Sequence, residues 1–236
     1  MMTIALYRTL ATSQHWLPRT IRSVRRRILQ FSLPAPRVLI LPFALAFLAI
    51  RRVYFFLVRA LICEPFFKVQ CYSYGRGLRT GVYLHWILGK GRICTGDRVE
   101  FDGKCNFKFA ARYSDHPTLQ VGDGSRIGHG SSFTVGKSII IGRDCRIATH
   151  VTIFDSPGHP SDPEARRAGQ PVGDNEVQPV VLGDNVWVGQ SAIIFPGVTI
   201  GDNSIVAAGS SVMVSVPANV LVAGNPARQV RSLTPK

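Results

Sequence analysis

Residues 180–216 read VVLGDNVWVGQSAIIFPGVTIGDNSIVAAGSSVMVSV, and an aliphatic residue occupies every sixth position of this stretch. Neither the helical period of 3.6 residues nor the strand period of two produces such a repeat. A triangular solenoid does, because each of its sides takes one short strand and one tight turn, with small residues where the backbone turns. The six aliphatic positions are Leu182, Val188, Ile194, Ile200, Val206 and Val212.

A second ladder of the same kind precedes the first one along the chain. Upstream of it, a fainter six-residue spacing runs from Ile87 to Cys105 and lacks the glycines. We therefore predict a mainly β chain that winds into a parallel β-helix over residues 83–216, with residues 64–82 as a connector or cap. A β-sandwich of short strands is the alternative, which two long runs of hexads disfavour. The second ladder consists of Val121, Ile127, Phe133, Ile141, Ile147 and Ile153.

Charge separates the chain of 236 residues into two parts. Residues 1–63 contain ten arginines and no lysine, aspartate or glutamate, and so carry most of the net charge of +14. The remaining residues are nearly balanced, which argues against a nucleic-acid-binding face on the solenoid. Five cysteines without metal-like spacing predict reduced thiols in a cytosolic protein.

The N-terminal segment is predicted to associate with a membrane. Between Leu17 and Phe31, apolar residues recur with helical spacing among arginines, as in a basic amphipathic helix at an anionic membrane surface. The following stretch, 38–50, has no charge but contains Pro42, and two arginines end it. Because a spanning helix needs about twenty apolar residues, we expect residues 16–62 to lie in the membrane plane or to re-enter it. An organelle transit peptide and a helical cap on the solenoid are the alternatives.

Residues 155–179 interrupt the hexad spacing between the two ladders with the sequence DSPGHPSDPEARRAGQPVGDNEVQP. Excursions of this length are uncommon in a compact fold and are usually functional or disordered. The regular faces of a solenoid offer only flat strands, so we expect the chemistry of the protein to lie in this loop.

Three segments carry a resemblance to the hexapeptide-repeat acyltransferases: GHPSDPEARRAG at 158–169, PGVTIGDNSIVAAGS at 196–210 and AGNPARQVR at 223–231. Within that family the chain is most similar to the galactoside, maltose, nodulation-factor and exopolysaccharide O-acetyltransferases. The resemblance implies a left-handed parallel β-helix, a homotrimer, acetyl-coenzyme A as donor and sites between neighbouring prisms. No metal is expected, because the six histidines lack the spacing of a three-histidine zinc site.

The same resemblance assigns His159 as the general base, which takes the proton of a sugar hydroxyl as the oxygen attacks the thioester. Asp155, four residues earlier, is a candidate to orient the imidazole, and it could equally cap the turn that follows it. Residues 217–236 form a segment on the coenzyme A side. The positions that correspond to the family's donor site are Trp187, Gln190, Ala208, Arg228 and Arg231, with Gln190 standing where relatives often have a serine.

The sequence therefore predicts an acetyl-coenzyme A-dependent O-acetyltransferase that modifies a sugar hydroxyl in cell-envelope, exopolysaccharide or lipopolysaccharide biosynthesis. We expect a peripheral or monotopic protein on the cytoplasmic side of the bacterial inner membrane, with a saccharide acceptor that can be lipid-linked. One alternative is an acetyltransferase of a small soluble acceptor, such as an antibiotic, a free sugar or an amino acid. Another is a non-catalytic β-helix scaffold, which the intact GHP motif disfavours.

Overall fold

The computed structural model describes residue 8 and residues 12–233. The predicted N-terminal and C-terminal segments therefore both extend outside the described residues. The chain forms two compact units, residues 1–51 and residues 52–236.

Helices make up most of the described chain before residue 71. They are α1 (Trp16–Leu29), α2 (Arg37–Val58), a π-helical turn (Arg59–Cys63) and α3 (Glu64–Gln70). The long loop at 155–179 contains a further short helix, α4 (Pro163–Arg167), and a 3₁₀ turn (Asp174–Glu176). The amphipathic pattern predicted from the sequence lies on α1, whose apolar residues, such as Leu17 and Ile28, are exposed.

The helix after α1 differs from the sequence-based expectation. The uncharged stretch 38–50 was expected to be too short to span a membrane, because Pro42 interrupts it and Arg51 and Arg52 follow it. Instead, α2, the π turn and α3 form one continuous helix over Arg37–Gln70. Pro42 lies inside this helix, in its second turn, so the carbonyl of Val38 lacks the hydrogen bond that an N–H at position 42 would donate. Among the described residues this is one helix that is long and apolar enough to cross a membrane, judged by length and composition alone.

The rest of the described chain winds into a prism with three faces, and each face is a sheet of parallel strands. The sheet of the first face ends in one antiparallel strand, β19. The first face contains β1 (Arg79–Thr80), β4 (Glu100–Phe101), β7 (Arg126–Ile127), β10 (Arg146–Ile147), β13 (Trp187–Val188), β16 (Ile205–Val206), β18 (Val220–Gly224) and β19 (Ala227–Ser232). The second face contains β2 (Trp86–Leu88), β5 (Asn106–Phe109), β8 (Ser132–Val135), β11 (Thr152–Phe154), β14 (Ile193–Ile194) and β17 (Ser211–Val212). The third face contains β3 (Arg92–Thr95), β6 (Thr118–Val121), β9 (Ser138–Ile141), β12 (Val180–Leu182) and β15 (Thr199–Ile200).

The chain visits the three faces in turn, so every coil has three corners. We call the turn from the first to the second face the first corner, and the turn from the second to the third face the second corner. Each strand pairs with the strand one coil later, as Ile147 pairs with Val188 on the first face. This topology fits a left-handed parallel β-helix and positions every functional residue by its face, corner and coil.

Both predicted ladders point into the prism, where all twelve side chains are at most 3% exposed. The small residues at the corners are needed because successive coils touch there. A Cβ on Gly189 would lie 2.5 Å from the backbone nitrogen of Ala208. At the turn that leads back to the first face, Asn185 has φ of +55° and its amide donates a 2.9 Å hydrogen bond to Asn203 one coil later. Asparagine suits this position because it tolerates the left-handed conformation.

The prism is longer than the predicted range of 83–216. Its first coil already includes Ser73, which forms a parallel bridge with Cys94, and its last coil includes β18, which pairs in parallel with β16. The hexad spacing does not mark the first coil, because Thr80 and Ile87, which pair with the inward-facing Phe101 and Phe107, are seven positions apart and Thr80 is polar. Unequal turns at the ends of a solenoid thus conceal the coils that cap it.

Helix α3 closes the N-terminal end of the prism. Phe67 is 1% exposed, and its ring lies 4.3 Å from that of His85 and 5.1 Å from that of Phe101. Cys63 in the preceding π turn is also buried. The covering helix removes from water the apolar end that an open solenoid would expose.

Candidate active site

The loop of residues 155–179 leaves the prism at the second corner, between β11 and β12. Val172 and Val177 anchor it, since they are only 4% and 1% exposed. The ammonium group of Lys137, on the preceding coil, lies 3.0 Å from the carboxylate of Asp174. The loop is therefore held to the prism at several points along its length.

His159 is exposed near the beginning of this loop. The preceding Gly158 has φ of +83°, a left-handed conformation that glycine adopts without strain. The following Pro160 is buried, and its carbonyl accepts a 2.8 Å hydrogen bond from the guanidinium of Arg166. The imidazole thus projects from a backbone that is fixed close by, which is the positioning that a general base requires.

Asp155 lies at the root of the loop and is fully buried. Its Oδ1 accepts a 2.5 Å hydrogen bond from the N–H of Gly136, and its Oδ2 accepts a 2.7 Å hydrogen bond from the N–H of Lys137. Burial raises the pKa of this carboxyl above its ordinary value, although the backbone hydrogen bonds oppose the shift. Both oxygens thus join the loop to the preceding coil, and a role for Asp155 in orienting His159 stays a prediction.

Two further carboxylates fix the shape of the loop. Asp162 caps α4 by accepting a 2.8 Å hydrogen bond from the N–H of Ala165. Glu176 accepts hydrogen bonds from the hydroxyl and the N–H of Ser161, the latter over 3.2 Å. Within the part of the chain that the structure describes, no three His, Cys, Asp or Glu side chains are grouped so that they could hold a metal ion.

Two of the five predicted donor-site residues, Gln190 and Ala208, lie at the first corner on successive coils, and Arg228 lies near the start of β19 on the first face. The carbonyl of Gln190 accepts a 2.8 Å hydrogen bond from the N–H of Gly209, which follows the exposed Ala208. Arg228 is paired with Ala223 on the next coil. These residues form an exposed edge that a long, thin ligand could follow.

The other two predicted donor-site residues lie on the first face beside this corner. Trp187 is 54% exposed, and strand pairing places it in one column with Ile205, Leu221 and Arg231. At about 4.8 Å between neighbouring strands, this column extends roughly 14 Å from the indole to the arginine. An apolar column that ends in a cation suits a ligand with an apolar arm and a charged end.

The base and the donor-side residues of one chain occupy different corners. The loop that carries His159 follows β11 on the second face, whereas Gln190 follows β13 on the first face. The strands of the second face therefore lie between the two sets within a single prism.

A second, shorter loop at the second corner was missed from the sequence. Residues 110–117 leave the prism between β5 and β6, one coil before Gly136. A Cβ on Gly136 would lie 2.8 Å from Val177 and 3.1 Å from Tyr113, so both loops pack against this glycine. The signal was present, because Val121 follows Phe107 by fourteen positions, whereas successive inward-facing positions of a hexad repeat differ by six.

Comparison with known proteins assigns the chain to a family. The family described as the hexapeptide repeat of succinyl-transferase matches residues 119–154 and 179–213. A protein of Saccharomyces cerevisiae named as an acetyltransferase is 38% identical over 141 residues, which cover 58% of this chain and 69% of the yeast protein. The chain belongs to the hexapeptide-repeat acetyltransferases. Its predicted resemblance to this family is thereby confirmed.

Other members of the family match shorter parts of the chain. The galactoside O-acetyltransferase of Escherichia coli is 42% identical over 41% of this chain and 45% of its own length. The colanic acid biosynthesis acetyltransferase WcaF of Escherichia coli is 49% identical over 22% of this chain and 29% of its own length. The chain thus spans less than half of each of these two relatives.

A solved structure shows the same fold as this hexapeptide-repeat acetyltransferase. AntD, an N-acyltransferase from Bacillus cereus determined with dTDP and 3-hydroxybutyryl-coenzyme A, aligns over 72% of this chain and 88% of its own with a TM-score of 0.59. The two sequences are 22% identical. This likeness concerns the β-helix alone.

Proposed function

We propose that this hexapeptide-repeat acetyltransferase transfers the acetyl group of acetyl-coenzyme A to a hydroxyl of a saccharide, with His159 as the general base. The observation that carries the proposal is the exposed imidazole of His159 on a loop that buried side chains and hydrogen bonds fix to the prism. The match to galactoside O-acetyltransferase supports a sugar acceptor and an oxygen nucleophile.

The imidazole of His159 solves the main chemical difficulty of this reaction. A sugar hydroxyl is a weak nucleophile until a base removes its proton while the oxygen attacks the thioester carbonyl. A C–O bond forms and the C–S bond then breaks, and the imidazolium returns the proton to the departing thiolate. A base positioned in this way contributes a factor of about 10² to 10⁴ to the rate.

We place each active site between two prisms of a homotrimer. The base lies at the second corner of a chain and the donor-side residues lie at its first corner. In a closed ring of three prisms, the second corner of one subunit faces the first corner of the next. Trp187, Gln190 and Ala208 then line the pantetheine arm of acetyl-coenzyme A, and Arg228 and Arg231 pair with its phosphates.

We further propose that the acceptor belongs to cell-envelope or exopolysaccharide biosynthesis and that the enzyme works on the cytoplasmic side of a bacterial inner membrane. The match to WcaF supports this pathway class. The arginines and exposed apolar stripe of α1 suit an anionic membrane surface, and the exposed apolar helix that follows suits the bilayer. That helix carries Arg51 and Arg52 near its middle, which favours peripheral or monotopic attachment through residues 16–62 over a simple span.

The test is release of free thiol from acetyl-coenzyme A by the purified full-length protein over a panel of sugars, sugar nucleotides and lipid-linked oligosaccharides. We expect release that depends on the acceptor and that falls at least about a hundredfold in His159→Ala. His116→Ala, which removes an exposed histidine from the other loop at the same corner, is the matched control and should leave the rate unchanged.

The remaining outcomes separate the alternatives. Activity that survives His159→Ala refutes the choice of base. Preference for an antibiotic, an amino acid or a free sugar over every lipid-linked acceptor shows an enzyme of small soluble substrates. Failure to bind coenzyme A in calorimetry shows a scaffold that has lost catalysis.

A further inference from the structure

The first coil of the prism, residues 71–95, exposes an unusual set of large side chains. Two of them flank Ser73 on the third face, one lies at the first corner, and others lie on or beside β2 on the second face. Each is between 44% and 66% exposed. The members of this set are Tyr72, Tyr74, Tyr83, Leu84, Trp86 and Leu88.

Most of the large apolar side chains that the described prism exposes lie at this end, and the others are Trp187, Met213, Val214 and Val230. On the second face, the strand partners of Trp86 on the next three coils are the polar residues Asn106, Ser132 and Thr152. The apolar side chains therefore surround the end of the solenoid and do not continue along one side. A lateral contact between prisms would cover a single face or corner, so it does not account for this distribution.

The first coil is also basic. Residues 71–95 contain four arginines or lysines and no aspartate or glutamate, whereas residues 109–236 contain ten basic and ten acidic residues. The Arg92 guanidinium lies 4.3 Å from the centre of the Tyr72 ring. The ammonium group of Lys104 lies 5.7 Å from the centre of the Trp86 ring. The ammonium group of Lys68 lies at the same distance from the centre of the Tyr74 ring. Three cations thus lie against aromatic rings at this end of the prism, and Lys68 also pairs with Glu64 over 2.8 Å.

The exposed apolar helix joins the prism at this same end. Phe67 is buried in the cap beside His85, and Cys63 is buried one turn before it. Immediately upstream, large apolar side chains such as Phe56, Leu57 and Leu61 are exposed. The exposed apolar segment and the aromatic, basic coil therefore both belong to the N-terminal end of the second unit.

We propose that this first coil is a collar that docks into the headgroup region of an anionic bilayer and holds the prism with its end toward the membrane. Tryptophan and tyrosine concentrate at this depth of a bilayer because their rings are apolar with one polar edge. Arginine and lysine beside them attract anionic lipid headgroups. The collar rests on the membrane attachment in the proposed function, and it adds a second contact that fixes the orientation of the catalytic domain.

Two of the three tryptophans of the chain make the proposal testable in the full-length protein. Trp86 lies in the collar, whereas Trp187 lies on β13, four strand spacings beyond β1, or about 19 Å along the prism. The collar probe carries Trp16→Phe with Trp187→Phe, and the matched control carries Trp16→Phe with Trp86→Phe. Both are mixed with vesicles of phosphatidylcholine and phosphatidylglycerol, with or without phosphatidylcholine brominated near the top of its acyl chains.

We expect vesicle flotation of both proteins, about a twofold loss of Trp86 emission with the brominated lipid, and almost no loss of Trp187 emission. Flotation with unchanged Trp86 emission overturns the collar and leaves the membrane attachment intact. Blue-shifted Trp86 emission that ignores the brominated lipid identifies a contact with a second copy of the chain and also overturns it. Absence of flotation refutes the attachment and the collar together, while the acetyltransferase proposal is judged separately by thiol release.

Discussion

Asp155→Asn separates the structural use of Asp155 from a catalytic use. In the wild type, the N–H groups of Gly136 and Lys137 donate hydrogen bonds of 2.5 and 2.7 Å to the two carboxylate oxygens of Asp155. The substitution keeps the shape of the side chain but leaves a single acceptor oxygen for both N–H groups. Hydrogen bonds to charged groups contribute about 1.5–3 kcal/mol, and an unsatisfied buried donor costs about 1–3 kcal/mol. Relief of the buried charge offsets part of the loss, so we expect about 2–4 kcal/mol lower stability.

The assay is thermal unfolding at fixed protein concentration. A loss of this size lowers Tm by roughly 5–15 °C in a chain of this length. Asp174→Asn is the control, because Asp174 belongs to the same loop but is 74% exposed in its contact with Lys137, and an exposed pair contributes less than about 1 kcal/mol.

The pH dependence of stability provides a second reading of the same substitution. The pKa of Asp155 is raised by burial above its ordinary value of 3.8, so the folded protein holds this proton more tightly than the unfolded chain. Stability contributed by Asp155 therefore falls as pH rises from about 3.8 through the folded pKa and is constant above it. Asp155→Asn should lack this change.

One result would refute the structural interpretation of Asp155. If Asp155 orients His159, as the aspartate of a catalytic triad does, the asparagine variant loses about 10⁴ in kcat. An unchanged Tm together with that loss, and a shifted acid limb in the profile of kcat/KM against pH, would assign Asp155 to catalysis.

Three further substitutions have defined outcomes. Burial lowers the pKa of His85 to about 4 from its ordinary 6.5. The wild type should therefore lose about 3 kcal/mol of stability as the pH falls from 6.5 to about 4. Chemical denaturation of His85→Gln over the same pH range should show no such loss. Phe133→Ala removes a fully buried ring stacked 5.5 Å from Phe107 and should cost about 3–5 kcal/mol in the same assay, whereas Ser132→Ala on the same strand should cost less than about 1 kcal/mol. Trp187→Ala should leave Tm within about 1 °C because the indole is exposed, yet raise KM for acetyl-coenzyme A about tenfold in steady-state kinetics.

The central coils could be predicted because their physical constraint appears directly in the sequence. Each coil buries one aliphatic residue per side and allows only small residues where successive turns touch, as at Gly189. The first coil could not be predicted in the same way, since its inward-facing positions, Thr80 and Ile87, are seven positions apart and an aromatic cap replaces the repeat. Continuity of the helix through Pro42 was also hidden, because a proline inside an apolar run indicates a break or a kink.

The candidate site was predictable in composition but not in arrangement. The long loop and its GHP motif singled out His159, and the repeat located Trp187 on an outward-facing strand position. Sequence spacing cannot show that His159 and Trp187 lie at different parts of the prism. The face or corner on which each residue lies depends on the number of turns that the chain makes between them. The partners of Asp155 are likewise nonlocal, since Gly136 and Lys137 belong to the preceding coil.

Subunit complementation tests most directly the claim that His159 of one prism serves a donor held by its neighbour. His159→Ala removes the base, and Ala208→Trp blocks the donor edge with a bulky side chain, so each variant alone should be inactive. If equal amounts of both chains assemble at random into trimers, about a quarter of the interfaces combine an intact base with an intact donor edge. Thiol release near a quarter of the wild-type rate is the predicted result, and release no greater than that of the two separate variants would contradict it.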